Sequence, residues 1–305
     1  HHPEGGPMRL CASLCCCLAA ASVLPAQARG RADSPPAPGG AAVRSARQEL
    51  ETLRAAAQRG DAVAFWDWLP DSYQGDLEGC VHDLAERVDA KVYERAMKLL
   101  ARIAKVGVDK QRFLFANAEV AAAMAGDPAR AKTARASYGA VMTMLGELAS
   151  SDLASVEGLR RFDGRRFLTK TGKPMLLALF AIAREQGHDP ATEFAGMSFE
   201  IARQRGDTAD VSMRTPGEPD KVETFVHTEG RWLPEQLVRD WSRTMRDARA
   251  RIAAMPKGGD GRQMAQLRLV LGTVEGFVRK FEEAETQQEF DEVLQDVQAF
   301  GGRGR

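Results

Sequence analysis

The chain has 305 residues, 42 basic and 42 acidic side chains, and 44% hydrophobic residues. A balanced charge leaves no electrostatic footprint for nucleic acid or for an anionic membrane surface, so no nucleic-acid partner is expected. The length and apolar content supply one or two packed cores.

Arg9 follows Met8, and an apolar run extends from Leu10 to Leu24 before Pro25-Ala26-Gln27-Ala28. A basic start, an apolar middle and a small-x-small end read as an export signal over Met8–Ala28, cut after Ala28. A permanent span needs roughly 20 apolar residues, so no transmembrane segment is expected once the signal is removed. Residues 1–7 read as an upstream extension. Cys11, Cys15, Cys16 and Cys17 fall inside the run, so cleavage leaves Cys80 as the remaining cysteine, and no internal disulfide is expected. Leu77, Val81 and Leu84 stand around Cys80 at helical spacing and predict its burial. The Arg-, Ala- and Gly-rich composition, with Asn117 the single asparagine, points to a GC-rich bacterial genome. The expected localisation is therefore periplasmic or secreted.

Residues 29–42, rich in Pro, Gly, Ala and Ser, read as a flexible linker. A helical region is predicted over 43–150. Its first helix reaches Arg59, Gly60 follows as the C-terminal stop, and Asp61 caps a short helix to Leu69. Ser72 to Val88 is helical. Asp89 caps a helix through Val106, with Val92, Ala96, Leu99, Ile103 and Val106 on one stripe and Gly107 closing it. Lys110 to Asn117 is short and helical. Pro128 starts a long helix to about Ala149 that carries Tyr138, Val141, Met142 and Leu145 inward. Over 151–235 the pattern gives helices and then strands. Asp152 caps a helix ending near Phe162, and Pro174 opens another that Gly187 ends. Phe199, Ile201 and Arg203 then alternate with Glu200, Ala202 and Gln204, and Arg205-Gly206-Asp207 is a turn. Thr208 to Arg214 places Ala209, Val211 and Met213 on one face, and residues 216–220 form a loop. Lys221 to Thr228 sets Phe225 against Val222, Thr224 and Val226, and Glu229-Gly230 turns tightly into Arg231-Trp232-Leu233. Pro234 ends the sheet, helices fill 236–300, and 301–305 is a frayed tail. The predicted class is α+β, predominantly α: a helical N-terminal half, a small three-stranded antiparallel meander at about 198–233, and C-terminal helices.

The hairpin RQRGDTADVSMR and the closing VETFVHTEGRWLP resemble the helix-plus-curved-sheet superfamily that includes ketosteroid isomerase and scytalone dehydratase, many members of which have no known activity. The resemblance covers residues 198–233, implies a sheet backed by helices, and carries over no catalytic residue. The chain after Ala28 also resembles exported bacterial envelope proteins with helical N-terminal halves.

Candidate chemistry is sparse. Cys80 and His82, two apart on a helix, point about 200° apart and cannot share a site. His82, His188 and His227 have no metal-ligand spacing, so no metal and no cofactor is expected. Asp67, Asp71, Asp76, Glu78 and Asp83 are explained by capping and solvation. Phe65, Trp66, Trp68, Trp232 and Trp241 suit a core or an apolar pocket. Arg59-Gly60-Asp61 and Arg205-Gly206-Asp207 match the integrin tripeptide and read as structural turns. Thr169 to Pro174 lacks the spacing of a phosphate loop.

The leading expectation is a non-enzymatic exported envelope protein that works by binding or by helix-mediated interaction, including self-association through the C-terminal helices. The alternative is a small-molecule-binding or enzymatic pocket between the meander and the preceding helices. Its expected residues are Phe199, Val211, Phe225 and Trp232, with His227 as the polar group.

Overall fold

The computed structural model describes residues 45–255 and 261–302. The expected export signal, the linker at 29–42, the break at 256–260 and the tail residues 303–305 lie outside them. The class is α+β with helix predominant. In chain order the helices are α1 (Ala46–Gln58), α2 (Ala62–Trp68), α3 (Asp71–Ala85), α4 (Ala90–Asp109), α5 (Gln111–Ala116), α6 (Ala118–Ala125), α7 (Pro128–Ser150), α8 (Val156–Arg160), α9 (Gly164–Phe167), α10 (Lys173–Glu185) and α11 (Pro190–Gly196). Strands β1 (Ser198–Arg205), β2 (Thr208–Arg214), β3 (Lys221–Thr228) and β4 (Arg231–Pro234) follow, and then α12 (Glu235–Ala254), α13 (Gly261–Glu283) and α14 (Gln287–Gly302). By contact the chain forms two compact units. One runs through Leu77 and resumes over Pro190–Ala250; the other holds Glu78–Asp189 and the chain from Arg251. The helices expected at 43–150 are shared between them.

In the first unit, local chemistry sets the helix starts. Ser45 accepts from the Gln48 amide while the Gln48 side chain accepts from the Ser45 amide, a capping box that opens α1. Gly60, at φ 66, turns the chain, and Asp61 caps α2 through the Ala64 amide at 3.3 Å. The sheet is antiparallel in the order β1-β2-β3-β4, one strand more than the three expected. The fourth strand is too short to show alternation in sequence. It pairs with β3 across a turn in which Glu229 (φ 49) and Gly230 (φ 80) both take the left-handed conformation, the hairpin geometry that matches strand twist.

β1 breaks the expected alternation. Ile201 pairs with Val211 and Arg203 with Asp210, so Ala202 is an extra, bulged residue. The bulge moves Arg203 off the face of Phe199 and Ile201, and carries Arg205, opposite Thr208, to the open face as well. The covered face holds Phe199, Ala209, Val211, Met213, Phe225 and Trp232, each at most 5% exposed, packed against Ala46 and Leu50 of α1. β4 is an edge strand, and unpaired edges invite foreign strands. Side chains satisfy this one: Glu49 of α1 accepts from the Trp232 amide at 3.1 Å, and Trp68 Nε1 donates to the Trp232 carbonyl at 3.1 Å. Farther along, Trp241 of α12 stacks on Tyr73 at 4.0 Å and donates to Asp76. Burial, with the carboxylates of Glu229 and Asp76, pushes the Tyr73 hydroxyl up to about 12.

In the second unit, α4 begins at its expected cap, Asp89, but Gly107 does not close it. The helix continues to Asp109 because Gly107 serves a close approach to α7: a Cβ there would stand 2.3 Å from Met142 Sδ and 2.9 Å from the Tyr138 hydroxyl. Val141, expected to face inward, is exposed. Asp152 does not cap a helix. Ser151 caps the short turn Asp152–Ala154, Ser155 caps α8, and Asp152 receives Arg166 at 2.7 Å. Asn117 caps α6, a helix that no strong period marks in the sequence, and also donates to Asp291 of α14. α4 and α13 run parallel. Asp89–Arg268, Arg95–Glu275 and Arg102–Glu282 form rungs at nearly constant sequence offset, the last two seven residues apart on each helix, as in a two-stranded coil. Hydrogen bonds from Arg95 and Arg102 hold the carboxyls of Glu275 and Glu282 below their usual range. Phe113, Phe281, Ala284 and Phe290 join the ends of α13 and α14 to α5, while Leu267, Leu269 and Val270 of α13 remain exposed.

Candidate functional site

The strongest candidate site lies within the first unit, where α1 crosses the covered face of the sheet. The crossing leaves an apolar cavity of about 90 Å³. Leu50, Leu53, Arg54 and Ala57 reach it from α1, at the i, i+3, i+4, i+7 spacing of one helix face. Phe65 and Trp68 come from α2, Phe194 from α11, and Phe199, Met213, Phe225 and Pro234 from the four strands, with Met197 beside β1. Arg54 is the one charged side chain in this lining. Its guanidinium is engaged by Glu51 at 2.8 Å and by the Ala195 carbonyl at 3.0 Å, which fastens α1 to the end of α11.

Of the five residues expected in a pocket, Phe199 and Phe225 line this cavity. Val211 and Trp232 fill the packed core. His227 tilts against Trp232, ring centres 5.1 Å apart, with Nδ1 3.7 Å from Asp207 and a buried Nε2 that makes no hydrogen bond. Phe65 and Trp68, singled out as aromatics, contribute to the lining, whereas Trp66 is core. The α1 stripe is visible in the sequence, but nothing in it says which surface the stripe meets.

Glu223 is the acidic residue of β3 on the same side as Phe225. Burial raises its carboxyl above the usual range, against the opposing pull of Lys221 at 3.7 Å. A raised carboxyl stabilises the fold below its unfolded pKa, and that contribution is lost as pH rises through the folded value. Glu223→Gln is therefore expected to make the protein more resistant to urea at neutral pH and to leave it unchanged in acid. Equal midpoints at neutral pH would show the carboxylate to be well solvated.

The remaining candidates are dispersed. His82 Nε2 lies 3.1 Å from the Phe162 carbonyl, and Cys80 is half-buried on α3. Glu78 accepts from the Gly164 amide. Among the described residues, no group of three or more His, Cys, Asp or Glu is placed to hold a metal ion, and no helix is long and apolar enough to cross a membrane. No family model, no curated protein and no solved structure matches the chain.

Proposed function

We propose that the chain is an exported bacterial envelope protein that works by binding rather than by catalysis, with the cavity under α1 as its site. The lining carries the reading: eleven of its twelve residues are apolar, and the guanidinium of Arg54 is already engaged by the protein. Such a surface recognises apolar shape and supplies no acid–base pair. The volume of about 90 Å³ equals about three water molecules, which suits the end of an alkyl chain or one apolar side chain of a partner. The export signal read at Met8–Ala28 supports the location. The likeness of residues 198–233 to the helix-plus-curved-sheet superfamily belongs to the same reading, and a sheet with a helix laid across one face is consistent with it.

The test is expression from the native start in a bacterium, followed by NMR titration of the recovered chain with a series of n-alkanols. Material recovered from the periplasm is expected to begin at Arg29. Alkanols are expected to shift the Trp68 indole signal saturably, and Leu53→Phe, which fills the cavity, to abolish the shift while the chain stays folded. A cytosolic chain retaining its first 28 residues would overturn the location. Alkanol shifts unaffected by Leu53→Phe would overturn the site.

A further inference from the structure

The sequence contains the tripeptide Arg-Gly-Asp twice, and the structure treats the two copies differently. In Arg59-Gly60-Asp61 the glycine is buried at φ 66 and the aspartate caps α2 through the Ala64 amide, so the fold uses both. In Arg205-Gly206-Asp207 all three residues are exposed at the tip of the β1–β2 hairpin. Arg205 pairs with Thr208, leaving Gly206 and Asp207 as the turn. Gly206 has φ 55 while Asp207 keeps a negative φ, a two-residue turn whose first position favours glycine. The Asp207 carbonyl accepts from the His227 amide at 2.7 Å and pins the turn to β3. Its carboxylate, 3.7 Å from His227, stays 75% exposed. Arg205 has no ion-pair partner among the described residues, and the bulge at Ala202 sets its side chain on the open face.

We propose that this hairpin tip is a recognition element for an integrin-type receptor, one whose bound divalent cation takes the Asp207 carboxylate and whose acidic residues take the Arg205 guanidinium. The proposal rests on the export reading above, in its secreted form, since the partner lies outside the cell. A rigid two-residue turn presents the charged arms with little conformational entropy left to lose on binding, and preorganisation of this kind raises affinity. Carboxylate oxygen is a suitable ligand for a hard divalent cation, and guanidinium pairs with carboxylate through two parallel hydrogen bonds. Neither the Arg205 nor the Asp207 side chain is buried in the core, so either can be altered without unfolding the sheet.

The experiment passes an RGD-selective integrin ectodomain over the immobilised full chain in Mn²⁺ and then in EDTA. Saturable binding in Mn²⁺, lost in EDTA and competed by a linear RGD peptide, is the expected result. Asp207→Glu keeps the charge but lengthens the arm, and is expected to weaken binding by about 100-fold, about 2.7 kcal/mol. Asp61→Asn preserves the cap while destroying the first tripeptide, and is expected to bind as the parent does. Absence of Mn²⁺-dependent binding, or equal binding by Asp207→Glu, overturns the proposal. Because the purified chain is used, either result stands apart from the fractionation that tests export.

Discussion

Phe225→Ala is expected to lower the stability of the sheet unit by about 4 kcal/mol, near the middle of the range for deleting a buried aromatic ring. Phe225 is 2% exposed in the middle of the sheet, paired with Ala209 on one side and Pro234 on the other. Ala209 has no bulk with which to refill the space. The ring also forms part of the cavity wall, so its loss joins a new void to one of about 90 Å³ that the protein already tolerates. Relaxation into such a space is incomplete, and the penalty grows with the volume left empty. Urea unfolding followed by near-ultraviolet circular dichroism measures the loss. Benzene adds a second readout, because an enlarged apolar cavity that stays dry binds it and ligand binding raises the apparent stability. The variant is therefore expected to gain more from benzene than the parent does. A loss below about 1 kcal/mol, with no benzene effect, would mean that the core under α1 is too loosely packed for a preformed site.

Features of the fold that depend on neighbours in sequence were legible before the structure. Asp61 and Asp89 cap the helices they were expected to cap, and Gly60, Gly206 and Gly230 take the positive φ their turns require. Features that depend on distant segments were not. The register slip at Ala202 depends on how β2 pairs, and strict alternation misplaced Arg203. Gly107 looked like a helix stop because glycine has two uses, ending a helix and admitting another close by, and only the position of Met142 decides between them. The site shows the same division. Strand parity put Phe199, Val211 and Phe225 on one side of the sheet, as observed, because period two fixes the face. Which of them meets a gap depends on where α1 crosses, and no local pattern carries that. His227 shares a face with Phe225 but packs against Trp232, outside the cavity lining.

Gly158→Ala is expected to cost about 3 kcal/mol, unusually much for the addition of one methyl group, because the obstacle is main chain. An ideal Cβ at Gly158 would lie 1.7 Å from the Asp152 carbonyl oxygen and 2.8 Å from its carbon. Where a new methyl meets the tip of a flexible side chain, that chain can rotate away. Here the turn Asp152–Ala154 must move as a body, and it is held by Ser151 at its start and by the Tyr93 hydroxyl on the Leu153 carbonyl. Any shift also disturbs the cluster of Ala85, Val156 and Leu159, the last only 1% exposed. Gly139→Ala in α7 is the control within the same unit. Nothing lies within 4 Å of its added methyl, so it is expected to stabilise the helix by about 0.5–1 kcal/mol through the lower entropy of the unfolded chain. Thermal melts of the two variants beside the parent give effects of opposite sign if the crowding at Gly158 is real. Equal shifts would mean that the Asp152 turn yields freely, and that α8 is not fixed by its contact with it.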